Sequence, residues 1–308
     1  MQMAAEKYEF EIAEIIKNKI ESLSDYQSKS TIVHPSITNT DVIHLISDEK
    51  NSYAHYFKII NGSVIHAQTI EIKKKMENQV FMPRIGEAAP EFTAISTQGT
   101  INFPKDYEGK WVIFFSHPAD FTPVCTSEFM TFANMEKQFN EANCELLGLS
   151  IDGLYSHIAW LRTIKEKIEY KGMKDIEVTF PLIEDISMKV SSKYGMIQPG
   201  ESSTQAVRAV FFIDPKGMIR TILYYPLSIG RNFQEIYRAL IALQTADAFQ
   251  VACPADWYPG DDVIVPTAGS CGVAKERMEN DETLDCKDWF FCTKKLDKDL
   301  VLNTILKK

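Results

Sequence analysis

The apolar run Trp111-Val-Ile-Phe-Phe115 leads into His117-Pro-Ala-Asp-Phe-Thr-Pro-Val-Cys125, and a helix-like stretch follows from Thr126 to about Asn143. No other part of the chain restricts the fold as much. A short, unbroken apolar run reads as a buried strand. The cysteine then falls in the first turn of a helix that starts at a strand end. Thr122 can serve as N-cap, Pro123 suits the first helical position, and Cys125 comes third. Free backbone N–H groups and the positive end of the helix dipole surround a sulfur placed there, and both favour thiolate over thiol. The pattern is strand, tight loop and helix, with a nucleophile at the junction.

A chain of 308 residues is long enough for two domains, or for one with appendages. With 45% hydrophobic and 24% charged residues it can bury a packed core. A net charge of −9 argues against a general nucleic-acid surface. The first residues lack a basic segment followed by an apolar one, and no run approaches membrane-span length. The expected compartment is therefore the cytosol. Six cysteines are too sparse for a secreted disulfide scaffold, and none form a Cys-x-x-Cys pair, which weakens a zinc ribbon or a thioredoxin-type dithiol. Cys286 and Cys292 make the one close pair. In a reducing compartment such a pair points to redox activity rather than to a structural staple.

Residues 1–81 differ in character from the rest. Tyr8 to Leu23 has helical apolar spacing, and the polar stretch from Ser24 to Ser30 is expected to end that helix. Strand-like runs cover Asp41–Ser47, Ala54–Ile60 and Ser63–Ile70, the last two joined by an Asn61-Gly62 turn. A charged linker begins at Lys73. From Met82 the pattern becomes α/β, with strands expected at Trp111–Ser116, Cys144–Ser150, Val207–Asp214 and Ile219–Tyr225. Helices are expected at Tyr155–Ile168, Ser187–Tyr194 and Asn232–Ala248. Asp214-Pro-Lys-Gly217 reads as an antiparallel turn, so the sheet should be mixed and flanked by helices. After Ala248 the chain reads as irregular up to Gly272, and its last part carries Cys286 and Cys292.

With these residues in view, Met82 to about Lys295 resembles the peroxiredoxins of the Prx6 type, including their archaeal two-cysteine members. Pro118-x-x-x-Thr122-x-x-Cys125 matches the active-site signature. Ala206-Val-Arg208-Ala-Val-Phe-Phe-Ile-Asp214 resembles the arginine-bearing strand, and Tyr224-Tyr-Pro226 and Pro254-Ala-Asp-Trp257 match this subgroup. Cys286-x5-Cys292 sits where the archaeal members carry their C-terminal cysteines. The resemblance implies a thioredoxin-like α/β fold, peroxide reduction without a cofactor, and homodimers that often assemble into decamers. It divides the chain into an appendage (1–81), a peroxidase domain (82–248) and a C-terminal dimerisation and resolving-cysteine arm (249–308). Hydrogen peroxide and organic hydroperoxides are the implied substrates, with a thioredoxin-like or glutaredoxin-like electron donor. Residues 1–81 resemble instead a fragment of excinuclease C, the nuclease component of the excinuclease ABC repair system. Tyr26-Gln-Ser-Lys-Ser-Thr-Ile-Val-His-Pro35 and Lys58-Ile-Ile-Asn-Gly62 carry that likeness. It implies a gene fusion and, since the nuclease's carboxylates would lie beyond the fragment, no nuclease activity.

The resemblance also assigns roles. Cys125 attacks the peroxide and becomes a sulfenic acid; the bland alternative is an inert core cysteine. Arg208 binds thiolate and peroxide oxygens through its cationic fork, or else serves a structural ion pair. Thr122 donates a hydrogen bond to the peroxide, or only caps the helix. Pro118 shields the sulfur from water. His117 lies near the thiolate and could bond to it, or is a satisfied histidine at a strand end. Cys292 resolves the sulfenic acid, acting from the partner protomer, with Cys286 as substitute or second member of a relay. If both are bystanders, an outside thiol resolves Cys125. Two further functions compete: a redox-switched holdase chaperone, and an N-terminal segment that docks the chain to a DNA-repair complex.

Overall fold

The computed structural model describes residues 10–29, 39–47, 51–60, 63–73, 82–280 and 283–306. The chain divides into two compact units, Met1–Gln79 and Val80–Lys308. In the first, helix α1 (Phe10–Lys29) precedes an antiparallel sheet of β1 (Asn39–Ser47), β2 (Asn51–Ile60) and β3 (Ser63–Lys73). The helix continues past the expected stop at Ser24, because Ser24 to Lys29 contains neither glycine nor proline to break it. The expected Asn61-Gly62 turn and most of the linker lie outside the described residues.

The second unit is built on a seven-stranded mixed sheet. Its strands are β4 (Phe92–Ser96), β5 (Gly99–Phe103), β6 (Trp111–Ser116), β7 (Cys144–Ser150), β8 (Leu182–Glu184), β9 (Arg208–Ile213) and β10 (Ile219–Tyr225), in the order β10-β9-β6-β7-β8-β4-β5. The three central strands β6, β7 and β8 run parallel, while β9 lies antiparallel to both β6 and β10. All six residues of β6 are buried, as a central strand with both faces covered requires. Strand alternation sends Trp111, Ile113 and Phe115 into one apolar cluster and Val112 and Phe114 into the other.

Helices α2 (Pro123–Glu141), α3 (Leu154–Lys167) and α5 (Phe233–Phe249) fill the first cluster with Phe129, Phe132, Trp160, Ile236 and Leu240. Short α4 (Lys189–Lys193) belongs to the second through Val190. Strands β4, β5 and β8 are additions to the sequence reading. The first two form a hairpin whose mixed polarity hides the pattern, and β8 is three residues long.

Beyond α5 the chain is more ordered than its Pro, Asp and Gly content suggests. A small sheet of β11 (Val263–Ile264), β12 (Asp285–Asp288) and β13 (Phe291–Lys294) has the order β11-β13-β12, and α6 (Cys271–Asn280) lies between its first two strands in the chain. Helix α7 (Lys298–Ile305) starts at an Asp297 cap that accepts from the Leu300 N–H at 2.9 Å, and Val301 joins the first cluster.

Candidate active site

Strand β6 ends at Ser116, and residues 117–122 turn the chain into α2. Phe121 adopts a left-handed backbone conformation, φ 55°, which is uncommon for a non-glycine residue and turns the loop just before the helix. Thr122 occupies the N-cap position and Pro123 the first helical one, as the spacing predicts. The capping itself differs from expectation. The Thr122 hydroxyl donates to the Ala119 carbonyl at 2.9 Å and caps no backbone N–H of α2. The first N–H groups of α2 are therefore left without a side-chain cap from Thr122.

Cys125 is fully buried. Arg208, the first residue of β9, donates from Nη1 to its Sγ at 3.2 Å. The same Nη1 lies 2.8 Å from Glu128 Oε2, while Nε and Nη2 donate to the Leu227 carbonyl at 3.1 and 2.7 Å. Four of the five N–H donors of the guanidinium are thus committed, which fixes it against the sulfur. Glu128 is gripped in turn by Arg231, whose Nε and Nη2 reach its two oxygens at 3.0 and 2.7 Å and whose backbone N–H donates to Oε1 at 2.9 Å. Arg231 Nη1 also donates to the carbonyls of Ser116 and Ala209, tying the end of β6 to β9. Burial alone would raise the Glu128 carboxyl, but Arg231 first and Arg208 second hold it below the usual carboxylate range.

Sequence reasoning found the arginine and missed its support. Arg208 was expected to meet either the sulfur or a structural ion-pair partner, and it contacts both Cys125 Sγ and Glu128. The signal for Glu128 was its place one helical turn beyond Cys125, next to Phe129 and Met130 on the face that must be buried. Nothing in the local pattern marks Arg231, which sits in a loop just before α5.

Pro118 is buried beside the loop and Thr122 is half-buried. His117 is buried too, but its Nε2 pairs with Asp120 Oδ1 at 3.0 Å rather than with the sulfur, and its Nδ1 has no hydrogen-bond partner among the described residues. Cys286 and Cys292 are joined to each other in a disulfide across the β12–β13 hairpin, with Cα atoms 4.0 Å apart. Cys292 is buried and Cys286 half-buried. Of the other cysteines, Cys144 lies in the core, where burial pushes its thiol well up; Cys253 is half-buried and Cys271 exposed.

A cysteine at a helix start, held by an arginine from a neighbouring strand of a mixed α/β sheet, defines a thiol peroxidase of thioredoxin-like fold. The comparisons agree. The AhpC/TSA family matches residues 85–222, and the C-terminal domain of 1-Cys peroxiredoxin matches residues 242–280. A peroxiredoxin of Methanosarcina mazei is 63% identical over 215 residues, 70% of this chain and 98% of that one. One from Archaeoglobus fulgidus is 47% identical over 220 residues, covering 70% and 99%. Among solved structures, a yeast mitochondrial 1-Cys peroxiredoxin aligns with a TM-score of 0.61 at 37% identity, covering 70% of this chain and all of that one. A cysteine-to-serine mutant of peroxiredoxin 6 from Arenicola marina aligns at 0.61 and 32%, covering 70% and 99%. The chain belongs to the peroxiredoxin family, thiol peroxidases that reduce hydroperoxides with electrons from a thiol. No helix among the described residues is long and apolar enough to cross a membrane.

Proposed function

We propose that Cys125 is the attacking residue and that the C-terminal hairpin carries its oxidation onward. The observation that carries this reading is the 3.2 Å contact between Arg208 Nη1 and Cys125 Sγ, backed by the buried Glu128–Arg231 pair. The Cys125 thiolate attacks the distal oxygen of ROOH. The O–O bond breaks, sulfur gains an S–O bond, and the leaving alkoxide takes a proton to become ROH. Arg208 stabilises the charge that develops on the oxygens. Thr122 and Pro118 flank the sulfur: the Thr122 hydroxyl turns from the Ala119 carbonyl to donate to the peroxide, and Pro118 shields against water. His117 completes that wall.

In the second stage the Cys292 thiol attacks the sulfenic sulfur of Cys125, expelling water and leaving a Cys125–Cys292 disulfide. Cys286 then attacks Cys292, frees the Cys125 thiolate and leaves the Cys286–Cys292 disulfide seen here. An external dithiol, thioredoxin-like or glutaredoxin-like, reduces that bond and meets Cys286 first, because Cys292 is buried. We read the arm of residues 249–308 as acting on the Cys125 of a partner protomer within dimers that build a decamer, in the cytoplasm. The exposed rings of Trp289, Phe290 and Phe291 at the hairpin tip support this reading, since so large an apolar patch suits a covered surface. The first unit keeps its separate reading as an excinuclease C fragment, supported by sequence alone and tested by pull-down of the full chain with excinuclease B.

The deciding experiment treats reduced protein with one equivalent of hydrogen peroxide, then maps peptides under non-reducing conditions over time. A transient Cys125–Cys292 link that gives way to Cys286–Cys292 is expected. Stable Cys125 sulfenic or sulfinic acid, with both C-terminal thiols intact, would assign resolution to an outside thiol. In parallel, Cys125→Ser is expected to lower turnover by roughly 1000-fold or more; normal turnover in that variant would remove Cys125 from the chemistry.

A further inference from the structure

Beside Cys125 lies a second buried polar cluster, of which the chemistry above uses His117 alone, as part of a wall. Asp120, in the turn before α2, is hydrogen-bonded to two histidines. His117 Nε2 lies 3.0 Å from its Oδ1, and His157 Nδ1, on α3, lies 2.8 Å from its Oδ2. The Asp120 backbone N–H donates to Asp152 Oδ2 at 2.9 Å, and Asp152 is itself held by the Ser150 hydroxyl at 2.8 Å. Both imidazoles are fully buried. The loop that presents Pro118, Thr122 and Cys125 is thereby fastened to the β7–α3 corner by two hydrogen bonds through one residue.

The acceptors fix where the hydrogens lie. His157 Nε2 faces the Ile183 carbonyl at 3.2 Å, and a carbonyl only accepts, so Nε2 carries a hydrogen. The 2.8 Å contact with His157 Nδ1 occupies the other oxygen of the Asp120 carboxylate, Oδ2. Asp120 Oδ1 is left to accept from His117, which places that ring's hydrogen on Nε2. His117 Nδ1 then carries a bare lone pair, and it is the one ring nitrogen of the cluster without a partner among the described residues. The ring is clamped between Phe129, centroids 4.8 Å apart, and Trp160, 5.1 Å apart. Both belong to the apolar cluster that contains Cys125. An unpaired buried acceptor costs free energy, and turning the ring over would give up the bond to Asp120.

We propose that Asp120 and His157 are positioning residues for the peroxidase reaction: they hold His117 as the neutral tautomer with hydrogen on Nε2, and so keep one acceptor, Nδ1, in the apolar wall shared with Cys125. The titratable groups facing His117 are Asp120 on its own loop, Asp152 from the β7–α3 corner and His157 from α3, while α2 turns the Phe129 ring toward it. Burial lowers the His117 value and opposes a second proton, despite the nearby Asp120 carboxylate. Burial would raise Asp120, but the hydrogen bonds from His117 and His157 hold it well below the carboxylate range. Without His157 the Asp120 carboxylate would lose its tie to α3, and the His117 Nε2–H the fixed orientation of its acceptor.

The inference rests on Cys125 being the attacking residue, and its direct test does not. In the full-length reduced protein labelled with 15N-histidine, two-bond nitrogen–proton spectra read which ring nitrogen of His117 is protonated. Hydrogen on Nε2 and a bare Nδ1 between pH 6 and 8 is the expected result; a protonated Nδ1 would overturn the proposal without any variant. Stopped-flow tryptophan fluorescence then follows oxidation of Cys125 by hydrogen peroxide against pH. His157→Leu is expected to slow it by about tenfold or more and to displace the acid limb of the profile. His157→Asn, whose amide can still donate to Asp120, should recover the profile and most of the rate. If folded His157→Leu matches wild type, or if His157→Asn is no better than His157→Leu, the positioning role is wrong.

Discussion

The two sulfur sites of this protein follow opposite designs. Cys125 sits at the rigid start of α2, fully buried, its sulfur fixed by Arg208, whose guanidinium is itself fixed by Glu128 and Leu227. Cys286 and Cys292 lie on a two-stranded hairpin near the end of the chain, with an exposed aromatic turn and one sulfur within reach of solvent. Peroxide cleavage needs charge placed within a few tenths of an ångström, and preorganised donors supply it without rearrangement. Disulfide exchange needs three sulfurs in line and an accessible leaving group, so freedom of the hairpin is worth more than rigidity. One site spends stability on placement; the other lies at the edge of a small sheet, with Cys286 only half-buried.

Variants can break that contrast from either side. The largest effect is expected at the guanidinium: Arg208→Met should slow Cys125 oxidation by about 100- to 1000-fold, the usual loss when a preorganised donor is removed. Rapid-mixing fluorescence reads it, and a loss below threefold would mean the helix start alone supports the sulfur. Glu128→Gln comes next. It leaves two buried guanidinium groups, of Arg208 and Arg231, without their shared anion, and should lower stability by about 3 kcal/mol in urea unfolding. An unchanged midpoint would show that the leucine, serine and alanine carbonyls suffice.

Acid should then act on the first site and spare the second. Asp120 and Glu128 have folded values below their unfolded ones, so the stability they contribute is complete above about pH 4 and is lost as pH falls through the lower folded values. His117 is also lowered, so the unfolded chain takes up its proton near pH 6.5 while the folded one resists. The unfolding midpoint should hold from pH 8 to 7 and decline below about 6.5. A midpoint that rose between pH 7 and 5 would contradict the buried neutral histidine. The smallest effect belongs to the hairpin. Cys286→Ser should leave the first oxidation within about twofold of wild type while the Cys125–Cys292 link accumulates.

Sequence reading located the site by its local grammar. Strand β6, the loop and α2 are consecutive, so Pro118, Thr122 and Cys125 were all visible in one stretch, and Arg208 stood out as a charge on an apolar strand. What it missed is non-local. Arg231 meets Glu128 from 103 residues away and His157 meets Asp120 from 37, and no pattern within one segment announces such pairs. The hydroxyl of Thr122 went elsewhere than a cap because the left-handed Phe121 brings the Ala119 carbonyl within its reach. The C-terminal sheet escaped notice because its strands are two to four residues long, below the length at which alternation can be read.

The hairpin disulfide has a practical consequence for anyone counting thiols. Because it closes within one chain, the oxidised protein runs as a monomer on a denaturing gel and still holds four free cysteines. Of those, Cys271 is the exposed one, so an alkylating dye applied to the native protein meets it before Cys125. Labelling stoichiometry would therefore track a bystander, and a Cys271→Ser background is the starting point for any quantitative measure of the enzyme's redox state.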